Sequence, residues 1–224
     1  MLRDILLIAL VAVLLSFVIK TFLVRSFYIP SGSMENTLQI NDRILVNELV
    51  PNVIPIQRGD VVVFTDPGGW LGTDGSPPTT GGNPVSKAIG WILTQVGLAT
   101  ADSNNHLVKR VIGLPGDTVS CCNAFGQEVV NGVPLNEPYI AVPPGARAVP
   151  STFSITVPPG DLWVEGDNRD SSADSAYRLD RHLESFFVPI RDVVGRADII
   201  TWPVQRWALL SSYPLVFGGT ERAK

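Results

Sequence analysis

Tyr28-Ile-Pro-Ser-Gly-Ser-Met-Glu-Asn-Thr-Leu38 is the stretch on which the reading of this chain turns. Phe27 to Ile29 have the aromatic and β-branched character of a strand, and Pro30, lacking an N–H for ladder pairing, ends it and opens a turn. Gly32 lets that turn tighten enough to bring backbone N–H groups near a bound carbonyl, while Ser33 presents a hydroxyl. A hydroxyl needs a base before it attacks. The candidate is Lys109, in Leu107-Val-Lys-Arg-Val-Ile112, where strand alternation puts Leu107, Lys109 and Val111 on one face and Val108, Arg110 and Ile112 on the other. An arginine does not give up its proton in a protein, so of the two adjacent cations only Lys109 can serve as a base.

Upstream of the turn, Ile5 to Val24 is interrupted only by Ser16, Lys20 and Thr21, long enough to cross about 30 Å of hydrocarbon as a helix. No small-x-small site precedes Ser33 and the run exceeds a usual signal-peptide core, so it reads as an anchor and not a cleaved leader. Arg3 on one side and Lys20 and Arg25 on the other leave its orientation undecided by charge.

Downstream, strands are expected at Arg43 to Leu49, Asp60 to Thr65, Thr152 to Val157, Leu162 to Glu165 and Val193 to Trp202. The continuous Val61-Val-Val-Phe64 run suits a strand buried on both faces. Asn131-Gly132 supplies the positive φ angles of a two-residue hairpin turn. Residues 66–83 read as an exposed loop, and Ile89, Ile92, Leu93 and Val96 place a helix over 85–98. With 20 glycines and 18 prolines and few helical patterns, the fold class is mainly β: an N-terminal transmembrane helix, then a β-rich domain with a smaller β lobe or insertion.

A formal charge of −4 without any basic run excludes nucleic acid as a partner. The only cysteines are the neighbours Cys121 and Cys122, too few for a zinc site, so no metal and no cofactor is expected. They are expected as free or variably oxidised thiols, although ring closure between neighbours is chemically open.

Pro30-Ser-Gly-Ser-Met34 after the apolar run, Gly59-Asp-Val-Val-Val-Phe64, Lys109 to Asp117, and Gly166-Asp-Asn-Arg-Asp-Ser-Ser-Ala-Asp-Ser175 follow one another in this order. The set resembles bacterial type I signal peptidase. The resemblance implies a membrane-bound serine endopeptidase with Ser33 as nucleophile and Lys109 as general base, Ser33 N–H and the Ser31 hydroxyl forming the oxyanion hole, and Ser172 orienting the lysine. Asp167, Asn168, Arg169 and Asp174 would support the site structurally, and Asp167, Asn168 and Asp170 suit side-chain-to-backbone turns that hold Ser172 near Lys109. It further implies residues 1–25 as anchor and 26–203 as a β-rich peptidase domain with a variable insertion near 66–106; residues 204–224 read as a C-terminal tail in which Trp207 and Tyr213 suit a membrane contact. Its partners would be preprotein signal peptides and the lipid bilayer, and it would act as a monomer, single-pass in the cytoplasmic membrane with the catalytic domain on the outer face.

Two positions depart from the family pattern. Asn36 stands where proline is usual, and Ala176 stands where an arginine usually follows Asp-Ser, which leaves Asp174 to look to Arg178 or Arg181 for a partner. Three other readings remain. A Ser-His-Asp protease would need His106 or His182, the only histidines, beside Ser33. A self-cleaving regulator would carry a DNA-binding domain in place of the apolar run. A non-enzymatic anchored binding domain would have no need of Ser33, Lys109 and Ser172 together. Finally, Ala146-Arg147-Ala148 satisfies the small-x-small rule in a proline-rich loop, which predicts self-cleavage after Ala148.

Overall fold

Val61-Val-Val-Phe64 is buried along its whole length and forms β3 (Val61–Thr65), the middle of the larger of two antiparallel sheets in the computed structural model. The structure describes residues 3–4, 7–8, 10–11, 23–71, 105–143 and 145–221. Most of the apolar run and the whole expected helix over 85–98 lie outside the described residues. Residues 3–4, 7–8 and 10–11 are helical and exposed, and no helix among the described residues is long and apolar enough to cross a membrane.

The remaining strands of the large sheet are β1 (Val24–Tyr28), β2 (Arg43–Asn47), β4 (His106–Gly113), β9 (Asp161–Glu165), β10 (Val188–Pro189), β11 (Val193–Trp202) and β12 (Ala208–Leu209). Their order is β1-β2-β11-β3-β4-β9-β10, with β12 on β11. The smaller sheet runs β7-β6-β5-β8, from β5 (Thr118–Cys121), β6 (Glu128–Val130), β7 (Val133–Pro134) and β8 (Phe153–Thr156). Asn131 and Gly132 both take positive φ, 52° and 84°, at the β6–β7 turn, as the dipeptide predicts. Phe153 and Ile155 alternate with exposed Ser154 and Thr156 in β8, the half-buried strand expected there.

Cross-strand register explains the core. Val61, Val63 and Val108 join Phe27, Met34 and Leu38 in one apolar cluster, whereas Val62, Phe64, Leu107 and Val111 join Leu162 and Val164 in another. Lys109 lies opposite Val62, so a cation is inserted into the second face. Strand β4 pairs with β3 from His106 to Arg110 but with β9 only from Arg110 onward, so among the described residues no strand flanks Leu107–Lys109 on that side. Among the described residues strand β1 pairs with β2 alone. Both edges line a single cleft, and the Phe27 and His106 rings meet across it at 5.1 Å.

Cys121 and Cys122, expected as free or variably oxidised thiols, form a disulfide with each other. At the end of β5 both sulfurs face the Val149 carbonyl, at 3.6 and 3.8 Å, so the two neighbours lie on one side of the chain where regular strand alternation would part them. The expected cleavage point after Ala148 is also withdrawn from reach: Ala148 is 4% exposed, its N–H donates to Gly126 O and its carbonyl accepts from Arg169. The chain beyond β11 folds back on the domain. Phe217 joins the core of the smaller sheet and the buried Thr220 gives its carbonyl to Asn131 Nδ2 at 2.7 Å.

Candidate active site

The turn after β1 is held at its base by Ile29 N–H donating to Asp42 O and Asn41 N–H donating to Ile29 O, and it is pinned from within by buried Met34 and Leu38. Asn36 sits at φ +84°, a left-handed conformation that asparagine tolerates and proline cannot adopt. Ser33 is thereby presented at the cleft, 8% exposed. Among the described residues no acceptor takes its backbone N–H. Ser31 Oγ is 3.4 Å from Ser33 Oγ.

A second segment clamps the turn from the opposite side. Asn168 N–H donates to Ser33 O at 3.1 Å and Asn168 Nδ2 donates to Gly32 O at 3.1 Å. Gly166 makes this approach possible, because a Cβ there would lie 2.4 Å from Ser33 O and 2.3 Å from Ser172 Oγ. Asp167 accepts two hydrogen bonds from Arg110, at 2.8 and 2.7 Å, and one from Thr37 Oγ1.

Lys109 Nζ lies 2.7 Å from Ser33 Oγ and donates to Val108 O at 3.2 Å. The lysine is 4% exposed, and burial lowers its pKa to about 8 against the opposing pull of Asp174 and Asp167. A neutral amine is therefore accessible near physiological pH, within hydrogen-bond reach of a hydroxyl. Beside the pair, the cleft of about 220 Å³ is walled by Ile29, Met34, Val63, Leu71 and Val108. His106 also lines the cleft, but with its ring tilted against Phe27, and His182 is exposed on a positive-φ turn, so neither supplies the contact that Lys109 makes with Ser33.

The structure thus brings together Ser31, Ser33, Lys109, Asp167 and Asn168. Ser172, expected to hydrogen-bond the lysine, is buried against Gly166 and its Oγ has no hydrogen-bond partner among the described residues. Arg169 points away from Ser33, with its guanidinium buried among Glu128, Glu137 and Glu165. Asp174 caps α1 (Ser175–Asp180) through Tyr177 N–H and accepts Gly166 N–H, but no arginine among the described residues reaches it. Arg178 turns to the Gly69, Glu184 and Ser185 carbonyls, and Arg181 lies over the Tyr177 ring.

Arg110 is the supporting residue that sequence reasoning passed over. It is fully buried, with its guanidinium 4.1 Å from the Tyr139 ring and 5.3 Å from the Tyr213 ring, and it donates to Gly59 O and Ser211 O besides Asp167. The available signal was a second cation alternating with Lys109 on an otherwise apolar strand.

The profile of the family described as signal peptidase, peptidase S26, matches residues 2–202. This chain belongs to that family. Membership makes it a serine endopeptidase of the signal peptidase I type. It is 38% identical to the signal peptidase I of Mycobacterium tuberculosis, over 94% of this chain and 76% of that protein. A probable signal peptidase I of Mycobacterium leprae is 37% identical, over 91% and 77%, and the signal peptidase I of Pseudomonas aeruginosa 31%, over 89% and 72%. A solved signal peptidase I from Enterococcus faecalis is 25% identical, with a TM-score of 0.40 over 63% of this chain and 95% of that one.

Proposed function

We propose that this S26 peptidase removes N-terminal signal peptides from exported preproteins through a Ser33/Lys109 dyad. Neutral Lys109 takes the Ser33 proton as Oγ attacks the scissile carbonyl, while Ser33 N–H and the Ser31 hydroxyl receive the developing oxyanion. The resulting ammonium protonates the leaving amine, which departs as the new N-terminus and leaves the signal peptide esterified to Ser33. Lys109, neutral again, deprotonates a water that hydrolyses the ester, and that proton returns to Ser33 as Oγ leaves. Asn168 and the Asp167–Arg110 pair hold the turn in place, with Arg169, Ser172 and Asp174 behind it.

The observation that carries this reading is the 2.7 Å contact between Ser33 Oγ and a lysine whose pKa burial brings to about 8. The apolar cleft supports a preference for small substrate residues, and the edges of β1 at Val24–Phe27 and of β4 at Leu107–Lys109, which no further strand flanks among the described residues, offer backbone pairing to an extended peptide. We assign residues 1–25 as the anchor, 26–203 as the peptidase domain and the outer face of the cytoplasmic membrane as its place, acting as a monomer. The exposed side chains of Trp202, Val204, Trp207 and Leu209 suit a headgroup interface.

The full chain in detergent, incubated with a preprotein, is expected to release a fragment whose new N-terminus, read by mass spectrometry, follows a small-x-small sequence. Its kcat/KM should rise with pH through about 8, and Ser33→Ala and Lys109→Arg should both be inactive. An active Lys109→Arg, or equal cutting after Leu and Ala, overturns the proposal.

A further inference from the structure

Arg169 faces more acceptors than it has hydrogens to give. Its Nη1 carries two, yet Glu128, Glu165, Glu137 and the Ala148 carbonyl present oxygens to it at 3.2, 3.0, 3.4 and 3.3 Å. Its Nε is taken by Gly166 O at 3.1 Å and Nη2 by Glu137 Oε1. Glu137 also accepts from the Tyr139 hydroxyl, and Glu165 Oε1 from Trp163 Nε1, each at 2.8 Å. Two oxygens are left over. Glu128 Oε1 and Glu165 Oε2 are buried without a donor among the described residues, and the two carboxyl groups lie within hydrogen-bond reach of each other. Facing carboxyl oxygens with no donor between them are satisfied by one proton held in common. Burial favours keeping it: Glu165 is raised to about 7 and Glu128 is pushed well above its ordinary range, so one proton of the pair outlasts the other.

We propose that Glu128 and Glu165 share a proton and act as a positioning pair for Ser33, so that loss of this proton at alkaline pH releases the catalytic turn. The inference rests on Ser33 as the nucleophile proposed above. Glu128 belongs to β6 of the smaller sheet, and Glu165 ends β9 of the larger one, immediately before Gly166. From there a chain of hydrogen bonds leads to the site: Arg169 Nε donates to Gly166 O, Asn168 N–H to Ser33 O and Asn168 Nδ2 to Gly32 O. The approach at Gly166 has no slack, since a Cβ there would fall 2.4 Å from Ser33 O. Two bare carboxylates repel, which drives β6 and the end of β9 apart and carries Gly166 with the strand. Glu137, Tyr139, Trp163 and Arg169 are the other charged or polar groups facing the pair, and Asp174, at the start of α1, acts on Glu165.

The test follows kcat/KM of the full chain in detergent from about pH 6 to 11, beside the infrared band of protonated carboxyl groups in the Ser33→Ala protein. Beyond the acid limb of Lys109, the parent is expected to lose about tenfold per pH unit as the shared proton leaves, and the band to fade over the same range. Glu128→Gln keeps an oxygen for Arg169 and sets a permanent N–H opposite Glu165. It should retain the acid limb, lose the alkaline fall and remove the band. Glu165→Gln supplies the same N–H from the other side and serves if Glu128→Gln does not fold. A folded variant with lower activity but an unaltered alkaline fall marks a merely structural role and overturns the proposal. A parent whose activity does not fall, or whose fall and band titrate apart, overturns it too. If no preprotein is cut, the proposed function fails, while the band still decides the shared proton: a band that Glu128→Gln leaves in place refutes it.

Discussion

Lys109 is the residue at which stability and chemistry conflict. Folded, it loses its proton near pH 8; unfolded, near 10.5. Between those values the unfolded chain binds more protons, so stability rises with pH there, and below about 8 the penalty for the buried ammonium is fully present. Lowering the lysine from 10.5 to about 8 corresponds to a penalty on the order of 3 kcal/mol. Lys109→Met is therefore expected to be inactive yet more stable than the parent by up to about 3 kcal/mol at pH 7, the gap closing toward pH 10.5. Unfolding measured at both pH values checks this, and a less stable Lys109→Met at pH 7 would contradict it. Asn36 makes a separate case. At φ +84° the family's proline would force the turn apart, so Asn36→Pro should lose more than about 1 kcal/mol and cleavage with it, whereas Asn36→Gly should change melting little.

The segment from β9 to α1 carries a buried charge cluster that no single residue reveals. Arg169 reaches Glu165 and Glu128 at 3.0 and 3.2 Å and Glu137 more closely still. Three carboxylates cannot all ionise around one guanidinium away from water: burial pushes Glu128 well up and Glu165 to about 7. The folded protein keeps the Glu165 proton up to about 7 while the unfolded chain releases it from about 4.5, so this group's contribution falls as pH rises between the two. Glu165→Gln, which retains an oxygen for Trp163 Nε1, should match the parent below about pH 4.5 and exceed its melting temperature at pH 8. Arg169→Met, which leaves the carboxylates without a cation, should lose about 3–5 kcal/mol. Melting curves across pH 4 to 8 test both, and an unchanged Glu165→Gln at pH 8 would show that the folded protein ionises Glu165 at no cost, against a raised pKa.

Across the whole domain, the chain beyond β11 acts as a clasp on both sheets. Arg206 pairs with buried Asp42, Ser211 gives its carbonyl to Arg110, Phe217 enters the smaller sheet's core and Thr220 meets Asn131. Gly59 is required beneath it, since a Cβ there would lie 1.8 Å from Ser212 O. Phe217→Ala is expected to destabilise the fold by about 3–5 kcal/mol, whereas Leu215→Ala, at a position 96% exposed, should stay within about 0.5 kcal/mol. Equal melting temperatures for the two would show that the clasp contributes nothing to the domain.

What could be read from the chain was whatever short-range rules govern. Period-two alternation and uninterrupted valines marked β3, β4 and β11, Asn131-Gly132 marked a hairpin, and the impossibility of deprotonating an arginine singled out Lys109. The motifs around Ser33, Lys109 and Gly166 supplied the family. Tertiary structure decided everything that depends on groups distant in sequence. The burial that brings Lys109 to about 8 comes from the strands around it, and the clamp on Ser33 comes from Asn168, 135 residues away. The pairing of Cys121 with Cys122, the withdrawal of Ala148 from the surface and the failure of Arg178 to reach Asp174 likewise depend on where the backbone turns. Local sequence dictates which backbone conformations are cheap, but the desolvation and charge pairing that tune a catalytic group are sums over neighbours that only the folded chain assembles.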